Sequence, residues 1–303
     1  MIFFGAAETY RPSLCPGCQP AVEPVTADEV PVSLVEHQPA ECLCQTCGQT
    51  FSGEVSLWRG KEVWRRRECD QCRATREESA ALEREEYRRN EAARLKTQWL
   101  QKCGLQAELL EKSFENWDRR RESKLYEAVK QWAEEFPLPN PRGYPSLILW
   151  SQGNGVGKTH LLAAAGTRII QHWDGDPEKA SCPVRFASGP GLVRRIRATY
   201  GNLPGHETTE MVYDELKTVP LLLLDDVGKE NASPHTRDVY FYIIYERVIR
   251  GLPVFLTSNL PLEGANSLEG LMGSATVSRL IGMSRGQYYE LRGDDYRRRK
   301  LVP

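Results

Sequence analysis

The sequence contains no apolar run near the ~20 residues that a membrane-spanning helix requires. Stretches such as Leu221–Leu224 are far shorter. Its opening, "MIFFGAA", lacks both the basic start and the length of a secretory signal. No charge of one sign dominates either: 40 Lys and Arg face 41 Asp and Glu, for a net charge of −1. That balance argues against an acidic solvating tail and against a wholly basic protein. Local arginine clusters can still act on nucleic acid where a global sum is silent. The chain is therefore expected in the cytoplasm, with no membrane contact. Beyond residue 72 cysteine is nearly absent, with only Cys103 and Cys182, and residues 74–102 hold neither Pro nor Gly.

What is present early is thiol. Cysteines 15, 18, 42, 44, 47, 69 and 72 crowd the first quarter of the 303 residues. In a reducing compartment, paired C-x-x-C clusters point to metal before disulfides. Cys44-x2-Cys47 and Cys69-x2-Cys72 leave 21 residues between the pairs, close to zinc-ribbon spacing. Four thiolates complete a tetrahedron around Zn²⁺ and leave no open position, so this metal is expected to be structural. Its binding energy would be folding energy for a module too small to hold a core. Cys15 and Cys18 offer a less regular set: a second site with His37 and Cys42, spare thiols, or ligands that swap with the main site.

Composition divides the chain. Residues 1–40 are rich in Pro and small residues and are expected to be loosely ordered. Residues 41–75 form the zinc-ribbon-like module, with short β-like segments between the knuckles. Residues 76–103 mix acidic and basic side chains at helical spacing, the pattern of a solvated connecting helix. From residue 104 to 303, strand-like and helix-like segments alternate: "SLILWS", "PVRFAS", "PLLLLDD", "PVFLTSN" and "QYYELR" are separated by helical stretches. This order predicts an α/β fold with a parallel sheet covered on both faces.

Within that domain, "LILWSQGNGVGKTHLLAAAG" runs from strand through glycines into helix. The turn Gly153, Asn154, Gly155, Val156 and Gly157 points backbone N–H groups at a helix N-terminus, where they and the helix dipole favour phosphate oxygens. Lys158 would reach the β- and γ-phosphates, Thr159 would place its hydroxyl on Mg²⁺, and His160 follows them. Gln152 stands where the G-x-x-x-x-G-K-[ST] pattern has its first glycine. "PLLLLDDVG" adds a buried strand ending in two acids: Asp225 to hold Mg²⁺ and Asp226 to polarise the attacking water. The second acid is usually Glu, and the shorter side chain predicts slow hydrolysis. Asn259 ends "LPVFLTSN", where an amide can orient that water. An acid pair followed by a polar strand end suits an additional-strand P-loop ATPase, and the LSGGQ-like signature of ABC ATPases is absent.

These motifs, with "LLEKSFENWD", "GLVRRIRATYG", the long "LLLLDDVGKENASPHTRDVYFYIIYERVIRGLPVFLTSNL", "VSRLIG" and "YYELRGDDYRRRK", resemble the AAA+ helicase loaders of the DnaC/DnaI type and their sister transposition ATPases of the IstB type. The likeness extends over most of residues 104–303. It implies an AAA+ core, ATP and Mg²⁺ as ligands, an ATP-dependent homo-oligomer, and Arg279 as a finger acting on the neighbouring subunit's γ-phosphate. It also implies single-stranded DNA as a partner. Arg194, Arg195, Arg197 and Tyr200 supply basic groups and an aromatic platform for it, or else form a solvated basic helix face. The zinc module is similar to that of DnaI-type loaders, which implies the replicative helicase as partner. The four-cysteine set departs from a family arrangement that often includes His. Two further readings stand beside the loader: a transposition helper, and an assembly factor that ATP switches with negligible turnover.

Overall fold

The computed structural model describes residues 35–118, 123–201, 205–264 and 266–296. The chain divides into two units, Met1–Arg84 and Glu85–Pro303.

In the first unit, strands β1 (Glu36–Leu43), β2 (Thr50–Trp58) and β3 (Lys61–Arg65) form an antiparallel sheet in that order. Arg59 and Gly60 turn the second hairpin with φ of 52° and 76°. Positive φ at both central residues suits the right-handed twist of the flanking strands. Strand β1 begins at Glu36, inside the segment expected to be loosely ordered. Its pairing with β2 from Glu36 to Leu43 satisfies the backbone there without a hydrophobic pattern. Cys15 and Cys18 lie outside the described residues. Among the described side chains of this unit, Cys42, Cys44 and Val55 are the buried apolar ones.

Helix α1 (Asp70–Lys102) starts at the second cysteine knuckle, six residues before the expected boundary. With no Pro or Gly to stop it, the helix runs to Gly104, whose φ is 96°. A side chain there would meet the Phe186 carbonyl at 2.7 Å. Residues 85–102 of α1 fall within the larger unit.

The larger unit continues with α2 (Ala107–Leu110), α3 (Ser123–Glu134), β4 (Leu147–Trp150), α4 (Lys158–His172), β5 (Val184–Ser188) and α5 (Gly189–Ala198). Then come α6 (Thr209–Thr218), β6 (Leu221–Val227), α7 (Pro234–Arg250), β7 (Val254–Ser258), α8 (Leu268–Met272), α9 (Ser274–Ser284) and β8 (Tyr288–Glu290). The five strands are all parallel, in the order β5-β6-β7-β4-β8. The four leucines of β6 show how one run serves two faces. Leu221 and Leu223 pack with Leu147, Leu149 and the α4 side, while Leu222 and Leu224 pack with Ile148, Val254 and the α7 side. Period-two alternation in a strand covered on both sides makes every position apolar.

Helix α6 was absent from the sequence reading. Thr208 caps it, its hydroxyl accepting from the Met211 amide at 3.2 Å. At the opposite end of the sheet from the site, the fully buried Arg247 guanidinium donates to four backbone carbonyls: Leu216 (2.7 Å), Val219 (2.9 Å), Pro220 (3.2 Å) and Pro253 (2.6 Å). It thereby joins the segments that lead into β6 and β7. Among the described residues no helix is long and apolar enough to cross a membrane.

Candidate functional site

Strand β4 is buried between β7 and β8, so the chain leaving it emerges at the carboxyl edge of the sheet centre. The turn there reaches α4 through Gly155 (φ 65°) and Gly157 (φ 110°). Only glycine takes the second conformation readily, and here space is a second constraint. A Cβ on Gly157 would lie 2.4 Å from the Trp117 ring. Lys158, the first residue of α4, is buried, with Nζ donating to the Gly153 carbonyl at 3.1 Å. Gln152 in place of the first glycine does not prevent the turn.

The acids arrive on β6 beside β7. Asp225 is 6% exposed. Thr159 Oγ1 donates to both of its carboxylate oxygens, and Thr257 Oγ1 donates to Oδ1 at 2.6 Å. Burial pushes the Asp225 carboxyl above its ordinary value, against the pull of the two threonine hydroxyls. The same Thr257 hydroxyl accepts from the Asp226 amide at 2.9 Å, tying β7 to both acids. Asp226 stands at φ 58°, a left-handed conformation that Asp tolerates better than most residues. Asn259 donates from Nδ2 to Asn154 Oδ1 at 2.9 Å, while its buried Oδ1 has no hydrogen-bond partner among the described residues.

A cavity of about 470 Å³, within the usual size of small-molecule sites, opens beside these groups. Asn154 to His160, Asp226 and Asn259 all face it. The donor set fits a magnesium nucleotide: amides and an ammonium for phosphate, with a threonine hydroxyl and a buried carboxylate for a hard cation. Sequence reasoning did not place Lys112, Trp117, Lys229 and Tyr296 at this cavity, which they also line. The tryptophan of "ENWD" was the available signal. His160 packs edge-on to Trp117 with Nε2 at 2.8 Å from the Ser113 carbonyl, and burial lowers its pKa. It is thus a neutral wall residue. The Tyr296 amide closes the site, donating to the Gly155 carbonyl at 3.0 Å.

Arg279 does not line this cavity. It lies on α9, with its guanidinium 5.2 Å and 5.6 Å from the ring centres of Phe241 and Tyr245. Of the basic cluster on α5, Arg195 is held by Glu207 at 2.6 Å and Glu215 at 2.7 Å. Arg194 and Arg197 are exposed and make no ion pair with any described residue. Tyr200 is exposed, its ring edge-on to His235.

In the first unit the sulfurs of Cys44, Cys47, Cys69 and Cys72 lie within 4.8 Å of one another. The Cys69 amide donates to Cys44 Sγ at 3.4 Å, and such backbone donors lower that thiol to about 6. Cys72 is pushed up to about 12, first by its contact with the Cys69 thiol. A bound metal would deprotonate the set. The donor set fits Zn²⁺. Cys42 and His37 stand apart from it: Cys42 points at the Ala40 carbonyl and His37 at Ser56.

The family model of IstB-like ATP binding proteins matches residues 144–302. A replicative helicase loader DnaC from Buchnera aphidicola of Schizaphis graminum is 25% identical over 74% of this chain and 88% of its own length. A replicative helicase loader DnaI from Bacillus subtilis is 31% identical over 35% of this chain and 30% of its own. Among solved structures, one described as a crystal structure of DnaI is 25% identical, covers 62% of this chain and 93% of its own, and has a TM-score of 0.47.

Proposed function

Because the chain belongs to the IstB-like ATP-binding proteins, we propose that its cavity binds ATP with Mg²⁺, hydrolyses it slowly, and uses that cycle to place a replicative DNA helicase on single-stranded DNA in the cytoplasm. The nucleotide half of this reading is carried by one observation. Thr159, Asp225 and Thr257 form a continuous hydrogen-bonded set across three segments, beside Lys158 and the cavity. The loader half is supported by relatives named DnaC that align along 88% and 85% of their own lengths.

In this reading Gly153 to Gly157 and Lys158 hold the phosphates, and Thr159 with Asp225 would hold Mg²⁺. That ion would neutralise charge on the phosphate oxygens. Asn259 Oδ1 accepts a hydrogen bond from the attacking water and orients it. Asp226 takes its proton as the water oxygen bonds to the γ-phosphorus. The bond from that phosphorus to the bridging oxygen breaks, and its electron pair leaves with ADP. Arg279 does not line its own chain's cavity and in this reading serves the site of a neighbouring copy, which makes the active form a homo-oligomer. Arg194, Arg197 and Tyr200 offer phosphate contacts and a stacking surface to the single strand. The four cysteines hold structural Zn²⁺, and their module binds the helicase.

Capture of the replicative helicase by the purified chain, with ATP hydrolysis measured with and without single-stranded DNA, tests the proposal. Loader activity requires both helicase binding and nucleotide-dependent DNA binding. The family match favours a second reading, a transposition helper. It gains if no helicase is bound while ATP and duplex DNA are.

A further inference from the structure

The cavity wall contains a cation that the motif reading leaves without a role. Lys229 Nζ forms an ion pair with Asp226 Oδ2, and both side chains line the cavity. The pairing is set by the turn that carries it, which is pinned on every side of Lys229. The Ser258 hydroxyl donates to the Val227 carbonyl at 2.6 Å. The Gly228 amide donates to Glu230 Oε2 at 3.2 Å, and the Tyr240 hydroxyl to Glu230 Oε1. Gly228 holds φ 116°, with Leu260 leaving no room for a side chain. With residues 227, 228 and 230 fixed and Asp226 itself left-handed, Lys229 projects back onto the acid three residues before it.

This geometry conflicts with the task given to Asp226. A carboxylate that removes a proton from water needs an oxygen free to receive it. An ammonium on Oδ2 leaves only Oδ1 to receive it and, more importantly, stabilises the charge that proton transfer must neutralise. We propose that Lys229 is a restraint on Asp226, a positioning residue that keeps hydrolysis slow in the resting site and must leave the carboxylate for turnover. The proposal rests on the reading of Asp226 as the proton acceptor. It assigns slow hydrolysis to a second residue, in addition to the short reach of Asp against Glu. The pair is half-exposed, with side-chain exposures of 52% and 30%, so water screens it and its effect is modest.

The test uses the full chain with Lys229→Ala, Lys229→Met and Lys229→Arg, measuring steady-state phosphate release from ATP with Mg²⁺ and, separately, the Kd for ATP. Ala and Met should raise kcat about two- to fivefold, the factor that a half-exposed ion pair is worth. KM and Kd should stay unchanged, and Arg, which keeps the pair, should behave as wild type. An unchanged or lower kcat in Ala and Met overturns the proposal. So does weakened ATP binding, which would make Lys229 a phosphate ligand. Asp226→Asn separates the two readings. If that variant hydrolyses ATP like wild type, Asp226 is not the proton acceptor. If it is inactive and Lys229→Ala brings no gain, the acid stands and the restraint falls. The double variant, Asp226→Asn with Lys229→Ala, should show no gain over Asp226→Asn alone.

Discussion

The Thr159 hydroxyl donates to both carboxylate oxygens of Asp225, at 3.0 Å each, across 66 residues of sequence. The acid it meets is buried, and that burial raises the carboxyl pKa. A folded-state pKa above the unfolded one means that the native state binds the proton more tightly. This group therefore adds stability as pH falls through its folded value and costs stability above it.

Asp225→Asn should accordingly raise the melting temperature of the magnesium-free protein at neutral pH. The gain should shrink as pH falls toward the ordinary carboxylate range. The same variant should lower hydrolysis by about 10- to 100-fold, as disturbing a metal's hydrogen-bonded surroundings commonly does. Calorimetry across pH reads the first effect and phosphate release the second. A lower melting temperature at neutral pH would mean that the buried charge is not a cost.

At the turn itself, Gly157→Ala should cost about 1–3 kcal/mol of stability, from backbone strain and overpacking together. Trp117→Ala in the same chain should relieve the clash and leave the strain, so the two substitutions should not add. Denaturant unfolding of the four proteins measures this, and strict additivity would place the indole elsewhere.

How much of this the sequence disclosed depends on the range of the forces involved. Strand β6 was legible because four leucines and two acids carry burial and strand end in consecutive letters. The glycine turn before Lys158 and Thr159 and the strand-end acid Asp225 were legible because each is written in consecutive letters; that Thr159 meets Asp225 is what the structure adds. Trp117 and Tyr296 were not, since nothing local records that residues 40 before and 139 after Gly157 close on the same turn. The β1 pairing escaped notice because antiparallel hydrogen bonds ignore side-chain pattern. Of the α5 arginines, the sequence offered three equivalent cations. The structure separates Arg195, committed to Glu207 and Glu215, from Arg194 and Arg197.

That separation is testable. Replacing Arg194 and Arg197 with Ala should weaken single-stranded DNA binding and reduce its salt dependence by about one unit of slope per lost phosphate contact. Arg195→Ala should instead lower the melting temperature. Fluorescence anisotropy over a salt series distinguishes them, and equal DNA losses for all three would restore the undivided patch.

Lys158→Ala should abolish ATP binding. Arg279→Ala should leave binding intact and remove the concentration-dependent part of hydrolysis, since such a finger contributes ~10³-fold or more. Wild-type hydrolysis in the Arg279 variant would return this side chain to its visible role of stacking on Phe241 and Tyr245.

Metal analysis of the full chain should return about one Zn²⁺, as a closed four-thiolate site requires. Chelation should melt the three-stranded sheet and leave nucleotide binding in place. A content near two would bring Cys15 and Cys18 into play.

Arg247 has a consequence for how sequences of this kind can change. One side chain without a carboxylate fastens the amino-terminal ends of two central strands by their carbonyls alone. Any shorter residue would leave those oxygens dry and unanswered. The cavity lies at the other ends of these strands, so a substitution at its rim can change what the rim offers a ligand without loosening this anchorage.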